Sequence, residues 1–312
     1  MKINALEGMR LKLWVSIITL VLTIIIVKLK LIITPSWFSG ALENNHKLLL
    51  DFNFTNNEQS RLFQFFIPEF FITIFKIDII KAYILQRALF TFLTFFAFFY
   101  FCKKWFNNIQ SFICVFLFGL VMIFTFKNHL QESAALLSLT FLLTLWLIRD
   151  KKDWLFALVL VIGSINNETI LFVPAIYFFY NFDLKKSVFK LSMRTILLAL
   201  PAFIVVGIIR YINIDRPHLG GAWHLIDNLQ KLDRLIFIYN IFWILPFIYF
   251  KRKNLFLRRS LLTFPLFIIP HLITGIISET RQMLPLGFII IPASMFTLLD
   301  IIEKRKQKRL LK

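Results

Sequence analysis

Cysteine and charged residues are both scarce in this sequence. Cysteine occurs twice among 312 residues, at Cys102 and Cys114, and both positions lie in or beside apolar runs. So few cysteines make a structural disulfide or a cysteine metal site unexpected. Charged residues make up 17% of the chain and apolar residues 58%, whereas soluble domains average about a quarter charged and under half apolar residues. The composition therefore excludes an ordinary soluble domain.

The apolar residues occur in long runs separated by short charged clusters. A helix needs roughly 20 apolar residues to cross the hydrocarbon core, and its backbone groups must be hydrogen-bonded within the segment. The sequence therefore predicts an all-α, polytopic transmembrane helix bundle of about ten segments in one domain, 1–312. The predicted single spans are 13–34, 83–102, 109–126, 132–148, 191–209, 235–250, 260–278 and 283–299.

Two of these runs need a separate interpretation. Residues 154–181 are interrupted at 164–168 and are too long for one span, so we expect two short helices that return to the same side. The first run follows Lys2, Arg10 and Lys12 but is too long for the core of a cleaved signal peptide. No small-residue cleavage site follows it, so we expect it to be a retained first span.

The positive charge is distributed unevenly between the two sides of the predicted bundle. The sequence has 36 Lys and Arg against 17 Asp and Glu, a net charge of +19. If the N-terminus is cytoplasmic, 23 of the 36 basic residues lie on the inner side with six of the 17 acids. This bias predicts a multi-pass protein of the cell membrane with both termini in the cytoplasm. It explains the charge without a nucleic-acid partner, and the tail 303–309 suits anionic lipid head groups.

Polar residues collect on the predicted outer side, where two loops, 35–82 and 210–234, are long. The early part of the first loop is polar, and it is followed by a stretch rich in aromatic residues with few charges, 60–71. Such a stretch suits interfacial helices or a simple linker on the membrane surface. The second loop offers Arg216, His218 and His224 for binding a phosphate, unless it is a solvated turn.

Ionisable residues in the tight outer turns are further site candidates, because such groups are costly near the membrane and are often functional. Glu168 lies where the two short helices meet. It is either a general base or ligand-binding carboxylate, or a solvated residue at a hairpin tip. Glu279 and Arg281 either pair with each other, or Glu279 orients Arg281 towards an anionic lipid phosphate.

Taken in order, these motifs resemble the GT-C class of membrane glycosyltransferases, including bacterial enzymes of surface-polysaccharide assembly. The likeness covers nearly the whole chain through short motifs. They are Asp51 in the first outer loop, the Arg-aromatic-Pro stretch 61–68, the segment 80–85, Asn166-Asn167-Glu168-Thr169 with Pro174, and the closing turn 279–286.

The resemblance implies an inverting enzyme on the outer face of the membrane. It would move a sugar from a polyprenyl-phosphate donor to a glycan or lipid acceptor. On this basis Asp51 is the leading base or metal-facing acid, Glu58 is its reserve and Glu168 is a pocket carboxylate. Arg61 and Arg281 would bind the substrate. The first loop has no Asp-x-Asp or Glu-x-Asp pair, which leaves the base and a divalent-cation cofactor, Mg²⁺ or Mn²⁺, open.

Three other functions remain open from the sequence. A polysaccharide polymerase or ligase would use the same lipid-linked saccharides, although the loop 210–234 is modest for that class. A transporter or flippase of lipid-linked saccharide would be supported by inverted repeats or paired broken helices, and the sequence has one broken region. A membrane protein with a structural or assembly role is the third alternative.

Overall fold

The computed structural model describes residues 2–54, 57–126, 132–185, 187–214 and 223–310, and within these ranges the chain forms helices and no strand. Its first five α-helices are α1 (Lys2–Ile33), α2 (Ala41–Leu50), α3 (Leu62–Phe75), α4 (Ile79–Cys102) and α5 (Asn108–Phe124). The next five are α6 (Ser133–Arg149), α7 (Asp153–Asn166), α8 (Val173–Asn181), α9 (Val188–Ile212) and α10 (Leu225–Leu229). The last four are α11 (Leu232–Tyr239), α12 (Leu255–Leu261), α13 (Phe264–Thr274) and α14 (Gly287–Leu310).

Within the described ranges, five helical stretches are long and apolar enough to cross a membrane. They are Gly8–Ile33, Ile79–Cys102, Val188–Ile212, Leu255–Thr274 and Thr280–Leu310. The first and third are largely unburied within the protein, and their outward side chains are apolar. Such faces are stable in lipid but would form large exposed apolar patches in water. The helices therefore indicate a multi-pass membrane protein and confirm the all-α class.

The bundle core is built from neighbouring helices and is rich in phenylalanine. Helix α4 packs between α1 and α6, and α7 packs between α6 and α9. Phe98 of α4, Phe118 of α5 and Phe288 of α14 form a closed cluster with ring centroids 4.4 to 5.5 Å apart. Aromatic pairs at these distances stabilise a core beyond simple burial of their area.

The predicted pair of short helices is present in the region 154–181. A 3-10 helix, Glu168–Phe172, joins α7 to α8. Asn166 donates from its amide to the Ser133 carbonyl at 2.9 Å, which holds the end of α7 against the start of α6. A Cβ on Gly163 would lie 2.3 Å from Cδ1 of Ile170, so the Ile170 side chain would have to move to accommodate a larger residue there.

The run 235–250, predicted as one span, is not a continuous helix. Helix α11 ends at Tyr239, and short 3-10 helices follow at Asn240–Trp243, Leu245–Phe247 and Phe250–Arg252. Asn240 and Tyr249 have positive φ angles of 45° and 51°, which interrupts a right-handed helix. Pro246 also lacks an amide donor. The run 260–278 likewise divides between α12 and α13, and 283–299 begins in the 3-10 helix Thr280–Leu286.

A buried ion pair links α4 to the start of α6. Arg87 donates from Nε to Oε2 of Glu132 at 2.6 Å, and both side chains are almost fully buried. The guanidinium also lies 5.8 Å from the ring centroids of Trp37 and Phe126, in cation–π geometry. Arg87 therefore connects α4 with three other parts of the chain in the interior.

Candidate functional site

One cavity of about 1340 Å³ lies where α7, α9 and α13 end. We call it the charged cavity because its wall includes three carboxylates and three guanidinium groups. These belong to Glu58, Arg61, Glu168, Arg210, Glu279 and Arg281. Apolar residues complete the wall, among them Leu171, Phe172, Phe203 and Val206. The site thus offers both charged and apolar surfaces to one ligand.

The opposite end of the bundle carries basic residues that have acidic partners. Lys104 Nζ lies 3.3 Å from Asp150, and an Arg194 guanidinium nitrogen lies 2.5 Å from Asp153. Asp153 begins α7, whereas Glu168 follows the end of that helix. The charged cavity and the basic clusters are therefore separated along the helix axes.

Glu168 is held at the cavity wall by its own 3-10 helix. Oδ1 of Asn167 accepts from the Thr169 amide at 3.0 Å, which fixes the start of that helix. The Glu168 carboxylate accepts two hydrogen bonds from Arg210, one of them from Nε at 3.1 Å. Both donors converge on the same oxygen, Oε2, so the pair is held through one carboxylate oxygen.

The second pair, Glu279 and Arg281, is more deeply buried. Arg281 Nη2 lies 2.5 Å from Oε2 of Glu279, and the Gln282 amide donates to the same oxygen at 3.1 Å. Arg281 is 7% exposed, and its Nε has no hydrogen-bond partner among the described residues. The pairing that the sequence left as one of two alternatives is present, and the buried Nε of this arginine has no partner among the described residues.

Glu58 is the third carboxylate of the wall, and it is buried. Its Oε2 accepts from the Gln64 amide at 3.2 Å. Burial raises the pKa of Glu58 because it disfavours the charged carboxylate, while nearby Arg61 and Arg281 act in the opposite sense. A carboxyl group with a raised pKa is a stronger base when ionised, which suits proton transfer.

His271 of α13 also lines the cavity. Its Nδ1 lies 2.7 Å from the Phe267 carbonyl oxygen. Its ring stacks on Phe267 at 4.6 Å between centroids and lies 5.1 Å from Phe172. The imidazole is therefore fixed in orientation at the wall.

The structure brings six of the residues singled out from the sequence together in the charged cavity. They are Glu58, Arg61, Glu168, His224, Glu279 and Arg281. Asp51 is exposed at the end of α2 and is not part of the wall. Arg216 and His218 lie outside the described residues.

Sequence reasoning missed Arg210 and His271 as site residues. His271 lies inside the predicted span 260–278, and Arg210 directly follows the predicted span 191–209. Ionisable residues in or beside a span are functional candidates by that position alone. His224, considered for phosphate binding, does lie at the cavity.

The carboxylates of the cavity do not fit a divalent cation. Within the described ranges, no group of three or more His, Cys, Asp or Glu side chains could hold a metal ion. Glu168 and Glu279 each face a guanidinium instead, which already supplies the positive charge that a Mg²⁺ or Mn²⁺ ion would bring.

Known proteins provide no direct guide to the role of this cavity. Comparison with protein-family models, with curated proteins and with solved structures finds no match to this chain.

Proposed function

We propose that this protein is a membrane glycosyltransferase that acts at the charged cavity. It moves a sugar from a polyprenyl-phosphate donor to a glycan or lipid acceptor. The observation that carries the proposal is the cavity itself, which combines guanidinium groups with apolar wall residues such as Phe203 and Val206. A lipid-linked sugar phosphate has the same two properties, because an anion is joined to a long hydrocarbon chain.

The arginines are suited to bind the donor phosphate. Guanidinium presents a planar set of donors that matches phosphate oxygens. Arg61 and Arg281 also line the cavity and add positive charge to its wall. Arg210 is half exposed and can turn from Glu168 towards a bound phosphate.

Glu58 is the carboxylate best suited to serve as the base. Burial raises the pKa of Glu58, and a carboxyl group with a raised pKa is a stronger base once it is ionised. Glu58 would take the proton of the acceptor hydroxyl as its oxygen attacks the anomeric carbon. The bond from that carbon to the phosphate oxygen breaks, and polyprenyl phosphate leaves with the bonding electrons. Attack from the opposite side inverts the anomeric centre.

The charge distribution supports an outward-facing cavity. Lys104, Arg149 and Arg194 lie at the other end of the helices, and basic residues favour the cytoplasmic side. The proposal therefore places both termini in the cytoplasm of a cell-membrane protein. It also retains about ten membrane segments, with short helices such as α5, α6 and α7 completing the five long spans.

The proposal is tested with purified protein in liposomes. The donors are polyprenyl-phosphate glucose, galactose and mannose with labelled sugars, supplied with a panel of glycan and lipid acceptors. Transfer of label that depends on Glu58 and Arg210 supports the enzyme. Movement of intact labelled lipid across the bilayer without transfer would instead assign a flippase, which the same amphiphilic cavity would suit.

A further inference from the structure

His271 has one ring nitrogen committed within the protein and one available to the cavity. The Phe267 carbonyl, 2.7 Å from Nδ1, can only accept a hydrogen bond. Nδ1 therefore carries the proton in the neutral imidazole, and Nε2 carries the lone pair. Among the described residues, Nε2 has no hydrogen-bond partner. Nε2 is not among the fully buried side-chain atoms that lack a partner. Since it lacks a partner, it must be accessible to solvent.

The accessible part of His271 borders the charged cavity. His271 is 7% exposed, and it forms part of the cavity wall. Its ring cannot easily turn away, because it stacks on Phe267 and contacts Phe172. The side chain therefore presents a fixed neutral acceptor to whatever occupies this part of the cavity.

The chemistry of the surroundings selects the group that would bind there. Nε2 needs a donor and carries no charge in this tautomer, so phosphate oxygens, which are acceptors, do not suit it. A hydroxyl group does. Phe172 lines the cavity beside the imidazole and gives a sugar ring an apolar surface to pack on.

We propose that His271 is a sugar-binding residue whose Nε2 accepts a hydrogen bond from a hydroxyl group of the donor sugar. This inference rests on the proposed function, since it takes the ligand to be a lipid-linked sugar. It adds the position of the sugar, beside His271 and Phe172, while the phosphate lies towards Arg210 and Arg281. Glu168 and Glu279, which also line the cavity, have guanidinium partners, so they compete less for the hydroxyl.

The sugar-binding role of His271 is tested by measuring binding affinity rather than turnover. Polyprenyl-phosphate glucose, galactose and mannose are compared with polyprenyl phosphate alone, on the full-length protein in detergent. In the wild type, we expect at least one sugar to improve affinity over polyprenyl phosphate. In H271N, which keeps a polar group near the Phe267 carbonyl but removes Nε2, that improvement should fall by about tenfold. The affinity for polyprenyl phosphate itself should stay unchanged.

Two further variants separate binding from packing. H271F keeps an aromatic ring between Phe172 and Phe267, so it should preserve the fold and lose the sugar-dependent part of the affinity. H271Q places an amide acceptor near the position of Nε2 and should recover part of it. Each protein is first checked for monodisperse elution, and H271F carries the test if H271N does not fold.

The possible outcomes are distinct from those of the transfer assay. The inference is overturned if the sugar improves wild-type affinity and H271F retains the improvement, or if none of the three sugars improves wild-type affinity. Sugar-dependent binding that requires His271, but without transfer to any acceptor, would remove the enzyme proposal and leave this inference standing.

Discussion

Arg210 in the last turn of α9 donates two hydrogen bonds to the carboxylate of Glu168, which lies between α7 and α8. The two side chains are 58% and 37% exposed. An ion pair of this exposure contributes about 0–1 kcal/mol to stability. The pair therefore contributes little to stability, and ligand binding explains better why two charged side chains lie in the cavity wall.

Replacing Arg210 tests that explanation. We expect R210M to lower the rate of sugar transfer by at least about tenfold, because a phosphate loses a charged hydrogen-bond donor. The free energy of unfolding should change by less than about 1 kcal/mol. Initial transfer rates in liposomes and thermal unfolding in detergent measure the two effects.

Arg194 provides a matched control on the same helix. It pairs with Asp153 at 2.5 Å and is also exposed, but it lies at the other end of α9. R194M should keep transfer within about twofold of wild type, since an exposed pair contributes little. Equal losses in R194M and R210M would show that α9 as a whole is sensitive and would remove the phosphate-binding role.

Glu58 should give the transfer rate a pH dependence. As a base it must be ionised, and burial raises its pKa. Transfer should therefore increase with pH through the raised pKa, rather than levelling off near the ordinary value for glutamate. E58Q should lower the rate by about 100-fold or more and abolish this increase.

D51N is the control and should retain transfer, because Asp51 does not line the cavity. Loss of transfer in D51N with transfer retained in E58Q would make Asp51 the base.

Glu58 should also give the free energy of unfolding a pH dependence, opposite in sign to that of the transfer rate. Between the unfolded and folded pKa values of Glu58, the folded protein binds the proton and the unfolded chain has lost it. The free energy of unfolding therefore decreases as pH rises through this interval. E58Q removes this contribution and should flatten the decrease, as measured by unfolding midpoints over a pH series. An unchanged slope would show that Glu58 does not keep a raised pKa.

The sequence indicates which residues share a side of the bundle because successive spans alternate in direction. Glu168 and Arg281 follow apolar runs that end on the same side, and the structure places both in one cavity. Hydropathy does not specify how the helices pack around that side. The pairing of Glu168 with Arg210 depends on the packing of α7 against α9, so it could not be predicted from the spacing of the residues.

Apolar composition is also a poor guide to helix continuity. The run 235–250 is as apolar as its neighbours, yet Asn240 and Tyr249 adopt positive φ. The freed backbone groups are bonded by side chains, because Lys253 and Thr297 both donate to the Ile248 carbonyl. Thr297, which also donates to the Leu245 carbonyl, is about 50 residues away in sequence, and local patterns do not contain such a contact.

Gly207 allows the lipid-binding role of the cavity to be tested by filling it. This residue of α9 lines the cavity, and a Cβ added to it would meet no atom within 4 Å. G207F should therefore place a ring in the cavity without a steric clash at the backbone. We expect at least about a tenfold loss of affinity for polyprenyl phosphate, equivalent to about 1.4 kcal/mol, measured by titration in detergent.

Ile208 is the matched control for that substitution. It is the next residue on α9, is exposed, and does not line the cavity. I208F adds a ring on the outer surface of the same helix and should bind polyprenyl phosphate as the wild type does. Unchanged binding in G207F would show that the hydrocarbon chain lies elsewhere.

The buried pair of Arg87 and Glu132 should contribute more to stability than a surface pair does. E132Q should destabilise the protein by about 3–5 kcal/mol, because it leaves a buried guanidinium without its counter-ion. D233N is the control, since Asp233 contacts Arg234 at the surface, and it should change stability by less than about 1 kcal/mol. Unfolding midpoints in a common detergent measure both variants. If E132Q unfolds no more readily than D233N, the cation–π contacts of Arg87 with Trp37 and Phe126 are sufficient to hold the guanidinium in the interior.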